Sequence, residues 1–103
     1  MTPESKVKAK VKAVLKAYGV YYCMPLGTVW GKSGVPDIIA CPNGHFLGIE
    51  TKAGRGKCTK LQEIEHSKIH SSGGTVLVIR ETNIDTVAQV LEEMGCTKLE
   101  TTS

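Results

Sequence analysis

The sequence lacks the features that mark a membrane protein, a zinc module or a disulfide-stabilised fold. It has no apolar run long enough to span a membrane. It has no C-x-x-C pair, which argues against a zinc module and a disulfide framework. Its first residues lack the apolar stretch of a secretory signal, so we expect a cytoplasmic protein. We expect the four widely separated cysteines to be reduced and mostly buried, as small hydrophobic residues are: Cys23, Cys41, Cys58 and Cys96.

The length and composition are those of a small globular protein. The chain has 103 residues, of which 41% are hydrophobic and 22% charged, while only 5% are aromatic. This length is enough for one hydrophobic core and too short for two. We therefore predict a single domain over residues 1–103.

Positive charge is concentrated in the first part of the chain. Residues 1–60 contain ten Lys and Arg against three acids, whereas residues 61–103 contain three against seven. Such a division favours one face that contacts a polyanion. Lys8, Lys12 and Lys16 form a row with a spacing of about one helical turn, which suits either phosphate contacts or simple solubility.

The hydrophobic pattern predicts an α/β fold. Spacing, capping residues and turn residues indicate seven elements in the order αβββαβα. In chain order they are a helix from Pro3 to the stop at Gly19, strands at 20–24, 36–41 and 45–52, a helix from Thr59 to Gly73, a strand at 75–80 and a helix from Thr82 or Asn83 to Gly95. The strand at 75–80 is nearly all apolar, so we expect it to be buried on both faces.

The Asn43-Gly44 pair predicts a tight hairpin and sets its register. A two-residue turn at this pair places Asp37 directly opposite Glu50 on the neighbouring strand. Like charges in that position are destabilising, so another group must offset the repulsion.

A cation is expected in the same cluster. The alternation of a strand puts Lys52 on the same face as Glu50, with Thr51 on the other face. Lysine alone would neutralise the pair in part. Two carboxylates also suit Mg²⁺ or Mn²⁺, which prefer oxygen ligands. The alternative is a surface hairpin on which these three residues have no special role.

The same residues resemble a known nuclease signature. Gly34-Val35-Pro36-Asp37, then twelve residues, then Glu50-Thr51-Lys52 resembles the PD-(D/E)xK pattern. The chain is most similar to the VRR-NUC (virus-type replication-repair nuclease) family in its small standalone viral form, over about residues 2–80. That family's pattern also has a glutamate on the first helix and a glutamine early in the following helix, which correspond to Glu4 and Gln62.

The resemblance implies a fold and a set of roles. It implies a PD-(D/E)xK core of αβββαβ order, here with a C-terminal helix, in which helices flank a mixed sheet. Asp37, Glu50 and the backbone carbonyl of Thr51 would bind Mg²⁺ or Mn²⁺. Lys52 would serve the attacking water, and Gln62 would support Lys52 or the scissile phosphate. Glu4 could instead only stabilise the helix macrodipole.

The resemblance also implies a substrate and partners. It implies hydrolysis of DNA phosphodiester bonds, by a homodimer that acts on branched DNA as Holliday-junction resolvases do, in the host cytoplasm if the protein is viral. The flexible loop Gly54-Arg55-Gly56-Lys57 suits a contact with the DNA backbone. The residues predicted to contact DNA are Lys8, Lys12, Lys16, Lys32, Arg55, Lys57 and Lys60.

Other interpretations stay open at this point. His66 and His70, four residues apart, could share a metal, but a solvated helix face is favoured because no third ligand is near. Trp30 could stack on exposed bases or anchor a loop. The rival functions are a non-catalytic DNA-binding or interaction module and a duplex-cutting, restriction-type nuclease.

Overall fold

The first helix, α1 (Pro3–Ala17), begins and ends at residues that the sequence predicted. In the computed structural model, which describes residues 1–26 and 32–100, Thr2 caps the helix by accepting a hydrogen bond from the Ser5 backbone N–H. Val7, Val11 and Leu15 are buried along one face. Gly19 follows the helix with a φ of 64°, a conformation that costs glycine little.

The sheet contains four strands in the order in which they occur in the chain, namely β1 (Tyr22–Cys23), β2 (Ile38–Ala40), β3 (Leu47–Thr51) and β4 (Thr75–Ile79). The first three are antiparallel, and β3 pairs with β4 in parallel. Helix α2 (Lys60–Ser71) makes the crossover between β3 and β4, and α3 (Asp85–Glu93) follows the sheet. The predicted α/β fold with a mixed sheet is therefore confirmed, although the strands are shorter than predicted.

The turn between β2 and β3 has the predicted form. Asn43 and Gly44 have φ values of 50° and 83°, and the His45 N–H donates to the Pro42 carbonyl over 2.9 Å. Two consecutive positive φ values are those of a type I′ hairpin turn. Ile39 pairs with Gly48 in the ladder, as the predicted register requires.

The hydrophobic core lies on one face of the sheet. Helices α1 and α3 contact each other and pack against β3 and β4 on this face. The strands contribute Ile38, Ala40, Leu47, Ile49 and Ile79, all of them buried. The four cysteines are free, as predicted, but the prediction that they are mostly buried is wrong: Cys23 and Cys41 are exposed, and Cys58 and Cys96 are only partly buried. Cys23 lies on the edge strand β1, Cys41 and Cys58 lie in the segments that follow β2 and β3, and Cys96 packs against the margin of the core.

The other face of the sheet is covered less completely. Helix α2 packs against β4 there and has no fully buried residue. The prediction that the strand at 75–80 is buried on both faces is wrong, because only Ile79 is fully buried and Thr75–Val78 are partly exposed. The reason is that α2 covers this face incompletely, and that β4 lies at the edge of the sheet formed by the described residues.

Two predictions remain, one about membrane-spanning helices and one about Trp30. Within residues 1–26 and 32–100, no helix combines the length and the apolar character needed to cross a membrane. The hypothesis about Trp30 falls outside the described residues.

Candidate active site

Strand β3 presents three consecutive residues to different surroundings. Glu50 is only 1% exposed and Thr51 is fully buried, while Lys52, just after the strand, is partly exposed. Glu50 and Lys52 point to the face that carries α2, as the predicted alternation requires. A carboxyl this deeply buried is costly unless it is paired or hydrogen-bonded.

Asp37 lies immediately before β2 and is fixed by Thr51. Its Oδ2 accepts hydrogen bonds from the Thr51 backbone N–H over 2.9 Å and from the Thr51 hydroxyl over 2.8 Å. Partial burial opposes ionisation of Asp37, but these two hydrogen bonds, together with one from Glu50 and the charge of Lys8, outweigh it and lower the pKa of the carboxyl. Asp37 is therefore ionised at neutral pH.

Glu50 takes the opposite protonation state. Its pKa is raised to about 8 by burial first, and then by a hydrogen bond to Asp37 and by the negative charge of Asp37. The neutral Glu50 carboxyl thus donates to the Asp37 carboxylate. The predicted juxtaposition of the two carboxyls is present, and the proton on Glu50 removes the repulsion between them.

The backbone of Thr51 is directed toward Asp37. The Lys52 N–H donates to the Ile79 carbonyl in β4, so the backbone groups of the preceding residue, Thr51, point to the opposite neighbour. Continuing the β2–β3 register places Pro36 opposite Thr51. Proline has no N–H and cannot donate to the Thr51 carbonyl. The Thr51 carbonyl therefore accepts no ladder hydrogen bond from Pro36, and it is directed toward the side of β3 on which Asp37 lies.

Gln62 connects Glu50 with Lys52. Its Oε1 accepts from the Lys52 Nζ over 2.9 Å, and its Nε2 donates to Glu50 Oε2 over 3.2 Å. The same Oε1 accepts from the Thr59 backbone N–H, which completes the predicted capping box of α2. The Gln62 side chain thus caps the N-terminus of α2 and also orients the Lys52 ammonium group.

His66 belongs to the same cluster, although the sequence did not predict this. Its Nε2 lies 3.3 Å from Glu50 Oε1, and its side chain is 12% exposed. The prediction of a solvated helix face is therefore wrong for His66, but it is right for His70, which is exposed. The signal was the spacing of four between Gln62 and His66, which places both on one side of α2.

Gly34 lets the loop before Asp37 pack against the start of α2. Its φ is +84°, and a Cβ on this residue would lie 2.6 Å from the Leu61 carbonyl oxygen. Glycine is required here because the backbone of α2 occupies that space. The Gly-x-Pro-Asp pattern therefore holds α2, with Gln62, against the strand that follows Asp37.

The first helix brings charge to the same end of the sheet. Glu4 is near enough to raise the pKa of Glu50 and Lys8 near enough to lower that of Asp37, each as a minor contribution. Glu4 and Lys8 are four residues apart and partly buried. Hydrogen bonds link the predicted site residues in the order Thr51, Asp37, Glu50, Gln62 and Lys52, and Glu4 acts on Glu50 through its charge alone.

This donor set suits a hard divalent cation. Within the described residues, no group of three or more His, Cys, Asp or Glu side chains could hold a metal ion. Asp37, Glu50 and the Thr51 carbonyl instead offer two carboxylates and one backbone oxygen, which suit an ion that keeps several waters. In the absence of a metal ion, the proton on Glu50 offsets the repulsion between the two acids. A bound cation would offset it instead.

Comparisons with known proteins agree with this arrangement. No protein-family model matches the chain. A solved structure described as a VRR_NUC domain superposes with a TM-score of 0.72 at 26% sequence identity, over 89% of this chain and 97% of that one. The chain has a VRR-NUC fold. The family resemblance that the motifs predicted is confirmed.

A relative of known sequence is a phage protein. It is named "Putative nuclease p44", from Acyrthosiphon pisum secondary endosymbiont phage 1, and is 34% identical over 58 residues. The match covers 55% of this chain and 62% of the phage protein. The chain thus spans less than two thirds of the length of that relative.

The basic residues of this VRR-NUC fold have different surroundings. Arg55 and Lys57 are exposed in the loop after β3, which is fixed where the Gly54 N–H donates to Glu81 and Arg80 donates to the Gly54 carbonyl. Lys16 and Lys60 are exposed, and Lys8 and Lys12 are partly buried on α1. Lys32 pairs with Glu65 over 3.3 Å.

Proposed function

We propose that the chain is a divalent-metal-dependent nuclease that hydrolyses phosphodiester bonds in DNA. The observation that carries the proposal is the contact between two carboxyls, Asp37 and Glu50, next to a lysine that Gln62 orients. A fold could be held together more simply without a buried, opposed acid pair, because each such group adds a cost in stability. The VRR-NUC fold and the name of the phage relative support the same activity.

The residues of the cluster divide the chemistry among them. Asp37, Glu50 and the Thr51 carbonyl would hold Mg²⁺ or Mn²⁺, and the ion would supply polarisation of a phosphate oxygen and a lowered pKa for a bound water. Lys52 places its ammonium group against the attacking water or the phosphate. Gln62 keeps that ammonium in position, since its Oε1 accepts from Nζ over 2.9 Å. Glu4 supports the site from the margin.

The substrate is held by the basic residues on both sides of this cluster. Arg55 and Lys57 extend from the anchored loop, and Lys8 lies close to Asp37 on α1. Contacts of this kind go to phosphates and carry no sequence information. We therefore propose selection by DNA structure rather than by base sequence. Lys12, Lys16, Lys32 and Lys60 complete the proposed DNA-contacting set, with Lys32 exchanging its partner Glu65 for phosphate.

The finer proposal is a homodimer that cuts branched DNA. It rests on the family resemblance and on the size of the domain. A specific protein–DNA complex generally buries about 1,000 Å² or more of protein surface, which is a large share of the surface that one domain of this size offers to DNA. Two-fold symmetry would place two sites in fixed relation on a four-way junction. The relative from a phage fits action in the cytoplasm of a host cell.

Cleavage assays on a panel of DNA substrates test the proposal. Labelled linear, flap, splayed and four-way DNA are each incubated with Mg²⁺, with Mn²⁺ or with a chelator. We expect cleavage only with a divalent ion and fastest on the four-way DNA. Equal cleavage of all four substrates would retain the nuclease and remove the preference for branches. Binding without cleavage under every metal condition would favour the non-catalytic DNA-binding module, and cutting at fixed sequences in linear duplex would favour the restriction-type enzyme.

A further inference from the structure

The imidazole of His66 is mostly covered and lies against Glu50, an acid that the family pattern already accounts for. Its Nε2 lies 3.3 Å from Glu50 Oε1, and the two side chains are 12% and 1% exposed. A histidine with no role at Glu50 would gain no stability from this position, because it gives up hydration for a single contact of 3.3 Å. The contact therefore suggests a task for His66 at Glu50.

Two residues of α2 hold the two oxygens of one carboxyl group. Gln62 Nε2 donates to Oε2 over 3.2 Å, and His66 is placed at Oε1. The two residues are four positions apart, so their side chains leave the helix on the same side. A carboxyl contacted at both oxygens cannot rotate about its last bond without losing a partner. The geometry therefore fixes the plane of the Glu50 carboxyl.

The orientation of this contact follows from chemistry once Glu50 is ionised. A carboxylate oxygen only accepts hydrogen bonds, so the Nε2–H of His66 must donate. Ligand carboxylates at metal sites are commonly held by such outer partners, and removing one typically lowers metal affinity about 10- to 100-fold. Glu50 is the proposed ligand, and His66 touches it without joining the donor set of Asp37, Glu50 and the Thr51 carbonyl.

We propose that His66 is a positioning residue that, with Gln62, fixes the Glu50 carboxylate in the orientation that binds the divalent ion. The inference rests on the proposed metal-dependent function and names a residue outside the motif that carries it. His66 acts through Glu50 and makes no contact of its own with the ion.

Direct titration of Mn²⁺ into the purified protein, with free Mn²⁺ followed by electron paramagnetic resonance, tests this role. The variants are His66→Phe, which keeps a ring but removes the donor, and His66→Gln, whose Nε2 is separated from Cβ by the same number of bonds. His70→Ala is the matched control, because His70 is exposed on the same helix. Circular dichroism and thermal unfolding report the fold of each variant.

We expect the Mn²⁺ dissociation constant to rise about 10-fold or more in His66→Phe, to stay within about 3-fold of wild type in His66→Gln, and to be unchanged in His70→Ala. If His66→Phe unfolds, His66→Leu, which also lacks a donor, is measured in its place with the same expected rise in the dissociation constant. Wild-type affinity in His66→Phe, with or without a change in stability, would overturn the positioning role and leave the proposed function intact. So would a folded His66→Gln protein that binds Mn²⁺ as weakly as His66→Phe, because restoring the donor would then make no difference. Failure of the wild-type protein to bind Mn²⁺ would instead overturn the metal-dependent function itself, and this role with it.

Discussion

At the residue scale, the cluster is held together by one proton and a few hydrogen bonds. Asp37 is ionised because Thr51 donates to it twice, and Glu50 is neutral because it is buried beside Asp37. Without a bound metal ion, Asp37 is therefore charged and Glu50 is neutral. Separation of pKa values in this way is common at functional sites, where two similar groups are given different roles.

Substitution of the cluster should remove activity and spare the fold. Asp37→Asn and Lys52→Met keep the approximate shape of each side chain but remove a proposed ligand and a positioned charge. We expect cleavage to fall about 100-fold or more in each variant, since such groups typically contribute about 10²- to 10⁴-fold. Single-turnover cleavage rates and circular dichroism measure the two effects.

Lys68→Ala is the matched control for Lys52→Met. Lys68 is an exposed lysine that pairs with Glu65 at the far end of α2. We expect its loss to leave the cleavage rate unchanged. Wild-type cleavage in a folded Asp37→Asn or Lys52→Met protein would show that the active site lies elsewhere.

The buried Glu50 should make the metal-free protein less stable as pH rises. Its pKa is about 8 in the folded state, against an ordinary value of 4.5, so the folded protein binds more protons than the unfolded chain between these values. The stability present below pH 4.5 is therefore lost progressively up to about pH 8, with a slope of at most about 1.4 kcal/mol per pH unit. Urea unfolding across this range, with chelator present, measures the slope.

Glu50→Gln provides the control for this dependence. The amide cannot ionise, so the difference in unfolding free energy between wild type and the variant should shift in favour of the variant as pH rises from 4.5 to 8. Added Mg²⁺ or Mn²⁺ should reduce the loss in the wild type only. A pH-independent difference would show that Glu50 is already ionised in the folded protein.

At the element scale, two glycines allow the strands and α2 to approach closely. Gly34 meets the backbone of α2 at Leu61, and Gly48 lies under the ring of Pro36, where a Cβ would come within 2.7 Å of the proline Cγ. The Gly34 contact sets the distance between α2 and the loop before Asp37, and the Gly48 contact sets the distance between β3 and Pro36. The cluster depends on the first of these distances, because Gln62 must reach both Glu50 and Lys52.

Gly34→Ala should therefore cost more than a positive φ alone explains. An alanine in this conformation costs about 1–2 kcal/mol, and the close approach to the Leu61 carbonyl adds a cost of about 1–3 kcal/mol. Gly73→Ala is the matched control, because Gly73 has a φ of +91° and nothing within 4 Å of an added Cβ. Unfolding in urea compares the two variants. Equal losses of stability would show that the loop does not rest on α2.

The elements that could be predicted are those encoded by neighbouring residues. Asn43-Gly44 fixed the hairpin register, and Thr59 with Gln62 fixed the start of α2, because turn and cap chemistry acts over three or four residues. Burial of β4 was overestimated because strand order is a long-range property. His66 was missed for the same reason: only the packing of α2 shows which face meets Glu50.

At the scale of the whole molecule, the site lies at one end of the sheet and the core lies apart from it. Helices α1 and α3 bury the apolar face, while α2 carries polar partners for Glu50 and Lys52 on the opposite face. Changes at the cluster therefore need not disturb the core. This separation is the reason we expect substitutions there to affect chemistry more than folding.

Assembly is tested by mass in solution. We expect a homodimer at micromolar concentration, in light scattering coupled to size-exclusion chromatography, both alone and with a four-way junction. Small domains gain DNA-contacting surface by pairing around a two-fold axis. A monomer under both conditions would contradict the dimer and leave the nuclease site as proposed.

The proposed function requires that Asp37, Glu50 and the Thr51 carbonyl together hold the divalent ion. Anomalous X-ray diffraction from crystals soaked in Mn²⁺, at a concentration that supports cleavage, measures this most directly. We predict one anomalous peak within coordinating distance of all three groups, and no peak there in Asp37→Asn crystals soaked alike. A strong peak elsewhere in the wild-type protein, with none between Asp37 and Glu50, would show that these three groups do not hold the ion.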